Sequence, residues 1–542
     1  MGNELESMSQ RTLAYHEQTK HHSYRHARSL GYLDWDTQPH PFRFYEGTER
    51  IQLPFLSKRR DTSYIHLYKG APNNGVDEIS LEHIGAFLEL SMGLSAWKSI
   101  PNQKWALRMN PSSGNLHPTE AHVILPDMNE KEAGIFHYDP FHHALERRAA
   151  VPKALWNEIE NYYQTKGFFI ALSSIYWREA WKYGERAFRY CHHDVGHALA
   201  ALSFSASLQG WKVTYLHTLS DAELKTLLGF DTVTWKKHEE EYPDLLCFVH
   251  SRKKTHIPMS FPSQIIPYFS DLKFQGVPNQ LSQDHVDWDM ITDVSQATVK
   301  PKTEKKSFEF SMAPYVCEKS QLSAEQIIRQ RRSAVAFDGK TFITKSQFLA
   351  MLDKTIPRQC DAPFDIGLFD ISVHLLLFVH RIEGIEQGLY FLVRNPKEHN
   401  QLKGKFSSEY RWERMHEQLP LYLLRTGDFR QSATSVSCGQ DIAGDSSFSV
   451  GMIARFDEEI KKAPHIYRIL FWETGMIGQV LYLEAEARGV KGTGIGCFFD
   501  DPVHDLLGLK DHSYQSLYHF TIGGAVEDIR LMTHPPYHHL KV

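Results

Sequence analysis

The apolar and polar positions along this chain mark elements that come in pairs. ISLEHIGAFLEL (79–90) and ITKSQFLAMLDK (343–354) each set a Ser or Thr cap before a helical period. GIFHYDP (134–140) and GLYFLVR (388–394) each read as a glycine turn entering a strand, and AHVIL (121–125) and LYHFTIG (517–523) are strand-like. Helix and strand signals interleave irregularly, which predicts α+β: in each half a mixed sheet flanked by helices. Residues 1–50 are rich in His, Arg and Tyr without a clear period and read as an extension wrapping the first domain. Residues 290–312 are polar with a Lys-rich middle and read as a linker. The expected plan is an extension at 1–50, a domain at 51–289, a linker at 290–317 and a second domain at 318–542.

The pairing has a direct signature. Residues 189–229 recur at 468–508 with a constant offset of 279 and no gap. Eleven positions are identical, among them Arg189/Arg468, Gly196/Gly475, Asp221/Asp500 and Gly229/Gly508, and Asp194/Glu473 adds a carboxylate match. Unrelated segments of this length share only about two or three residues, so the chain carries a duplicated fold unit. The repeated helix sets small residues on one face: Gly475 and Gly478 in one copy, Gly196 and Ala200 in the other. Either the copies pack together about a pseudo-twofold axis, as an intramolecular pseudo-dimer, or each small face packs on its own sheet.

Composition narrows the function classes. The 542 residues are 42% hydrophobic and 23% charged, ordinary for a globular protein with large cores. A net charge of −5 gives no basic field for nucleic acid or acidic membranes. No apolar run approaches the ~20 residues of a membrane span. The start, MGNELESMSQ, has no secretory core. Six cysteines without a CxxC pair fit a reduced, cytoplasmic protein.

Five constellations could carry chemistry, and each also has an ordinary structural reading. Pro111-Ser112-Ser113-Gly114-Asn115 (with Leu116-His117-Pro118 beyond it) is a stiffened polar loop able to offer N–H groups and hydroxyls to a flat or anionic ligand. Arg331-Arg332-Ser333 follows a helix opened by the capping pattern Ser323-x-x-Gln326; two guanidinium groups and a hydroxyl suit a phosphate, or merely close a helix. Gly492-Thr493-Gly494-Ile495-Gly496 lets a backbone approach a ligand closely, or forms a tight turn. Lys182-Tyr183 could be an acid–base pair in a cleft, or the exposed start of a helix. His193 and His197 have the spacing of a zinc helix, but the second copy has Trp472 and Met476 there and no third ligand stands out, so no metal is expected.

Together these motifs resemble the nitroreductase superfamily of FMN-dependent oxidoreductases, and within it the SagB/ThcOx-type dehydrogenases that oxidise azoline rings in peptide maturation. The family's segments stand here as PSSGNLHP (111–118), KYGERAFRYCHHDVGH (182–197), GIGCFFDD (494–501) and RRSAVAF (331–337). The resemblance implies two tandem nitroreductase-like domains and FMN between them. Arg331, Arg332 and Ser333, with Arg530 of EDIRL, would hold phosphate and ribityl groups. Pro111, Ser112, Ser113, Gly114 and Asn115 would contact the flavin from the other half, and Gly494, Ile495 and Gly496 would pack on the ring edge. Lys182 and Tyr183 match the branch's acid–base pair. Val335 departs from the pattern, where a basic residue is usual.

The two copies have decayed in complementary ways. Shifting GTGIGCFFDD back by 279 lands on VTYLHTLSDA (213–222), which has lost every glycine. Arg59-Arg60-Asp61 stands for the Arg/Ser segment, and DIGLF (365–369) for PSSGN. One composite site and one FMN per chain are expected, and no further oligomer is required. The substrate expected is a small molecule or peptide, with NAD(P)H a possible partner. The alternatives are an NAD(P)H-dependent nitro or quinone reductase, or a degenerate flavin- or peptide-binding module.

Overall fold

The computed structural model describes residues 2–56, 61–70, 79–128, 131–304, 320–367 and 370–540. Two seven-stranded sheets form its frame. The first contains β1 (Arg50–Gln52), β2 (Thr119–Leu125), β3 (Gly134–Asp139), β4 (Ala144–Ala150), β5 (Gly167–Ser174), β6 (Trp211–Tyr215) and β7 (Tyr242–Ser251), in the order β1-β4-β3-β2-β5-β7-β6. The second contains β8 (Val373–Val379), β9 (Gly388–Leu392), β10 (Glu413–Arg414), β11 (Leu421–Thr426), β12 (Phe448–Arg455), β13 (Lys491–Ile495) and β14 (Tyr514–Gly523), in the order β10-β11-β9-β8-β12-β14-β13.

Six strands follow the same path in both sheets. The seventh, at the far edge, is the strand at the start of the first half in one sheet and one arm of a hairpin in the other. AHVIL (in β2) therefore has its counterpart in β8, offset by 254 like Gly134 and Gly388, and not in LYHFTIG. All pairings inside the large sheets are antiparallel. The parallel contacts are marginal: the pair Ile343–Thr344 with Ile382–Glu383, and the bridges Ser333–Gly492 and His21–Phe499.

The helices that matter for the site are α1 (Gly2–Gln18), α2 (Leu81–Ser91), α3 (Tyr176–Tyr183), α4 (Ala187–Leu208), α5 (Asp289–Ala297), α6 (Ala324–Gln330), α7 (Lys345–Lys354), α8 (Ile466–Ala487) and α9 (Asp500–Leu507). The caps fall where the sequence places them. Ser80 accepts from His83 N at the start of α2, and Thr344 forms a capping box with Gln347 at α7.

The repeated helices α4 and α8 are 22 residues each, in register at the offset of 279, and they pack against one another. Both are buried almost all round, so neither has a face to turn to water. Their approach is set by glycine. A Cβ on Gly196 would collide with the Trp472 carbonyl, and one on Gly475 with that of His193. A Cβ on Gly478 would lie 2.6 Å from the His197 ring. Of the two readings of the small face, the close helix–helix contact is the one realised.

Buried polar residues are paired reciprocally across this axis. Arg189 bonds Asp500 at 2.8 Å, and its repeat partner Arg468 bonds Asp221 at 2.8 Å, although Asp221 and Asp500 are themselves repeat partners. Residue i of one half meets j of the other and j meets i, as in an isologous dimer interface inside one chain.

Two boundary expectations need correction. The first 50 residues do not wrap the first domain alone. Helix α1 lies against the second half, with Ser9 Oγ donating to Ile460 O at 3.2 Å, His16 bonded to Gln515 at 3.2 Å and Lys20 paired with Asp501 at 2.9 Å. Its buried face is Ser9, Thr12, Tyr15 and His16, continued just past its end by Thr19 and Lys20, a stripe written mostly in polar residues, so apolar periodicity is blind to it. The span read as linker is not a structureless connection over its described residues, 290–304. It contains α5, which packs on α1 through Arg11–Asp293 at 2.8 Å, and Lys300, whose ammonium is buried against Leu219 O. Residues 305–317 lie outside the described residues, as do Arg59, Arg60, Leu368 and Phe369.

Candidate active site

A cleft of about 790 Å³ opens between the halves, a size ordinary for cofactor sites. Its lining includes Pro111 to Asn115, Tyr183, Arg331 to Ser333 and Gly494 to Gly496, so three motifs far apart in sequence converge on it together with Tyr183 of the fourth.

The loop 111–115 is held by left-handed backbone turns and by two carboxylates, Asp194 and, more distantly, Glu179, which accepts from Ser112 Oγ at 3.5 Å. Gly114, Asn115 and His117 have φ of 58°, 61° and 53°, and Ser112 Oγ accepts from His117 N at 2.8 Å. Asp194 of α4 accepts from Ser113 N at 3.1 Å and from Ser113 Oγ at 3.2 Å. Burial pushes the Asp194 carboxyl up to about 7, although these hydrogen bonds oppose it. Asn115 fixes the far end of the loop, donating to Ala106 O at 2.9 Å.

Lys182 and Tyr183 end α3 behind this loop. A Cβ on Gly114 would stand 2.6 Å from Tyr183 Oη and 3.2 Å from Lys182 Nζ, so glycine is what lets the loop sit on the pair. Tyr183 lines the cleft; Lys182 lies beside its ring, with Nζ 5.3 Å from the centroid. Burial, then the neighbouring Glu179, Tyr190 and Asp194, hold the Tyr183 phenol well above 10. It is protonated at neutral pH and able to donate.

The opposite wall is cationic. Arg331 is buried, donates to Arg108 O at 3.2 Å and leaves Nε without a partner. Arg332 donates to the carbonyls of Arg329 at 2.9 Å and Ser95 at 3.0 Å. Among the described residues neither guanidinium forms an ion pair, and burial lowers the pKa of both. Two unneutralised arginines on a cleft wall are an anion site in electrostatic terms. Ser333 is anchored to β13 by the Gly492 bridge, and its hydroxyl lies 2.9 Å from Tyr482 Oη.

The alternating glycines do not form a turn; Gly492 and Gly494 lie inside β13, and Gly496 follows it. Their missing side chains make room for aromatic rings: a Cβ on Gly492 would lie 2.7 Å from the Phe520 ring, one on Gly494 would strike the Tyr518 hydroxyl, and one on Gly496 the Tyr190 ring. The motif helix is tied to this segment by ion pairs, with Arg186 and Arg189 bonded to Asp500 at 3.1 and 2.8 Å. Arg186 also donates to Gly496 O at 3.2 Å.

One expected contact is absent. Arg530 does not line the cleft; its side chain is 81% exposed and pairs with Asp528 at 2.7 Å. The local Asp528-x-Arg530 ion pair holds it outward. His193 and His197 are both buried, and His197 also lines the cleft. His193 bonds Leu517 O at 3.0 Å, and His197 bonds the Tyr518 hydroxyl at 3.2 Å.

Sequence reasoning missed Asp194 as the loop's anchor, although its carboxylate match with Glu473 was visible. It also missed Asn110, whose buried Oδ1 has no partner, and the cleft tyrosines Tyr482 and Tyr518, which no local signal marks.

The nitroreductase family model matches residues 77–239 and 328–524, one span in each half, and the chain belongs to that family. It is an enzyme of the flavoprotein oxidoreductase class. The solved structure of a "putative nitroreductase" from Anabaena variabilis aligns over 95% of this chain and 99% of its own, with a TM-score of 0.68 and 20% identity, a likeness of fold through both halves. Among curated proteins, "Putative nitroreductase MJ1384" of Methanocaldococcus jannaschii is 28% identical over 165 residues, 29% of this chain and 77% of the relative.

Proposed function

We propose that the chain binds one FMN in the cleft between its halves and transfers hydride between it and a small or peptidic substrate, as a SagB/ThcOx-like dehydrogenase. The observation that carries this reading is the convergence of the PSSGN loop, from one half, with the Arg331–Arg332–Ser333 segment and the β13 glycines, from the other. The orphaned Arg331 Nε and Asn110 Oδ1 are the unmet bonds that a phosphorylated, polar-edged ligand would satisfy. Arg331, Arg332 and Ser333 would hold the phosphate and ribityl end, while Ser112, Ser113 and Asn115 orient the ring from across the cleft. When bound, the flavin supplies the two-electron acceptor or donor. Tyr183 holds its proton at Oη and can give a hydrogen bond or proton to substrate. Lys182 supplies positive charge beside it.

The mirror-image position supports a single site. Tyr215 is buried where Gly494 has its counterpart. Asp365, the counterpart of Pro111, is taken by Arg252 at 2.9 Å. Glu473, the counterpart of Asp194, is neutralised by Arg394 at 2.5 Å.

The decisive measurement is the visible spectrum of the purified protein with flavin quantified per chain, where one equivalent is expected. A colourless protein that takes up no FMN would reject the reading, and two equivalents would reject the single site. Tyr183→Phe is expected to retain flavin while turnover falls by about 10²- to 10⁴-fold. Rapid bleaching by NADPH without a peptide substrate would favour a reductase instead.

A further inference from the structure

Cys438 and Cys497 lie 59 positions apart in sequence, and their Sγ atoms are 2.8 Å apart. The contact is built from both sides. Cys438 sits in the connection between two short helices, at a φ of 55° and followed by Gly439 at 71°, a left-handed pair that aims the side chain across the gap. Gln440 donates to the Cys497 carbonyl at 3.0 Å, and Phe499 N donates to the Val436 carbonyl at 2.8 Å, so the backbones are clamped on either side of the sulfurs. Both thiols are partly exposed and Cys497 lines the cleft, whereas Cys191 and Cys247 are buried and Cys360 is exposed with no second cysteine sulfur against it among the described residues. The duplication gives a control: the counterpart of Cys497 at the offset of 279 is Thr218, so the couple belongs only to the half that keeps the glycine segment.

We propose that Cys438 and Cys497 are a reversible dithiol–disulfide couple on the wall of the cleft, oxidised by exchange with the disulfide of a small thiol or of another protein. Closing the bond from the present separation to about 2.05 Å needs a shift of under an ångström. Cys497 is the attacking thiol because it lines the cleft, where an incoming disulfide arrives, and Cys438 does not. The adjacent Cys438 thiol and the charge of Arg186 also favour its thiolate against the opposing effect of burial. The Cys497 sulfur attacks one sulfur of the incoming disulfide and releases one thiol. Cys438 then attacks the Cys497 sulfur of the mixed disulfide and releases the second thiol. Two protein thiols are oxidised, the incoming disulfide is reduced to two thiols, and the two protons leave with them. The inference stands on the sulfur geometry and does not require the flavin. The bond would fasten the Ser437–Gln440 turn, and so Gln440, to the end of β13.

The test is a thiol count on the full chain, denatured after treatment with oxidised glutathione, with peptide mapping of the link. In a Cys360→Ser chain, which removes the exposed thiol that would itself take up glutathione, the count is expected to fall by two, with a Cys438–Cys497 cross-link, no glutathione adduct at either position and recovery on adding dithiothreitol. Cys438→Ser is expected to trap one glutathione on Cys497, because the resolving thiol is gone. Cys438 and Cys497 both remaining free thiols, a cross-link between other cysteines, or a stable glutathione adduct on Cys497 while Cys438 is present would overturn the proposal. So would stoichiometric zinc that protects both thiols until it is chelated, since the ligand atoms of His21, His26 and Cys497 lie within 4.8 Å of one another.

Discussion

Arg331 shows how a residue proposed to hold the cofactor can sit against the stability of its own fold. Its guanidinium is buried, burial disfavours its charge, and one of its donors has no acceptor. Arg331→Met is expected to weaken FMN binding by about 10- to 100-fold, the scale of one or two charge-assisted hydrogen bonds, in a fluorescence titration. The same variant is expected to leave the flavin-free chain at least as stable in a denaturant titration, because it removes an uncompensated charge. Asp194 belongs to this scale too. Its carboxyl rises from an ordinary 3.8 to about 7, so the folded state holds a proton that the unfolded chain releases. Its contribution therefore favours folding at low pH and is lost as pH rises from about 4 to 7, with a slope of at most about 1.4 kcal/mol per unit. Asp194→Asn is expected to flatten that part of the stability–pH curve; an unchanged slope would show that Asp194 is ionised throughout.

At the scale of elements, the contact of α4 with α8 sets the spacing of the two halves and so the width of the cleft. Gly475→Ala places a methyl group against the His193 carbonyl and is expected to cost about 1–3 kcal/mol in chemical denaturation. Gly404 lies exposed in the helix His399–Lys405 with open space around it, and there the same substitution is expected to stabilise by about 0.5–1 kcal/mol. Opposite signs for one chemical change would separate helix approach from helix propensity. The helices and strands with strong local signals, such as the capped α2 and α7 and the glycine-led β3 and β9, were legible in the sequence. Helix α1 and the edge strand β10 were not. The first buries a polar stripe, and the second is two residues long and exists only because β11 pairs with it.

At the scale of the whole molecule, the chain is a dimer interface folded into one polypeptide. Asp500 receives Arg186 and Arg189 at the centre of that interface, where all three are buried and the arginines hold the carboxyl far below its usual range. Asp500→Asn leaves two buried cations without their carboxylate and is expected to cost about 3–5 kcal/mol in denaturant unfolding, with loss of flavin in parallel because the same contact ties α4 to the β13 segment. A variant of wild-type stability would show that the interface does not depend on this triad.

The sequence by itself determined the duplication, the capped helices, and which copy kept which chemical parts, because repeats, caps and residue types are local facts that survive without a structure. It could also place Arg331 and Arg530 in the same anion-binding role, since both match motifs. Only the tertiary structure decided that Arg331 faces the cleft unneutralised while Arg530 turns to solvent with Asp528, that Asp194 holds the loop, and that Cys438 meets Cys497. Those outcomes depend on the path of the chain between residues tens to hundreds of positions apart. A period of 2 or 3.6 residues fixes the direction of a side chain on its own element, but not what the rest of the fold brings opposite to it.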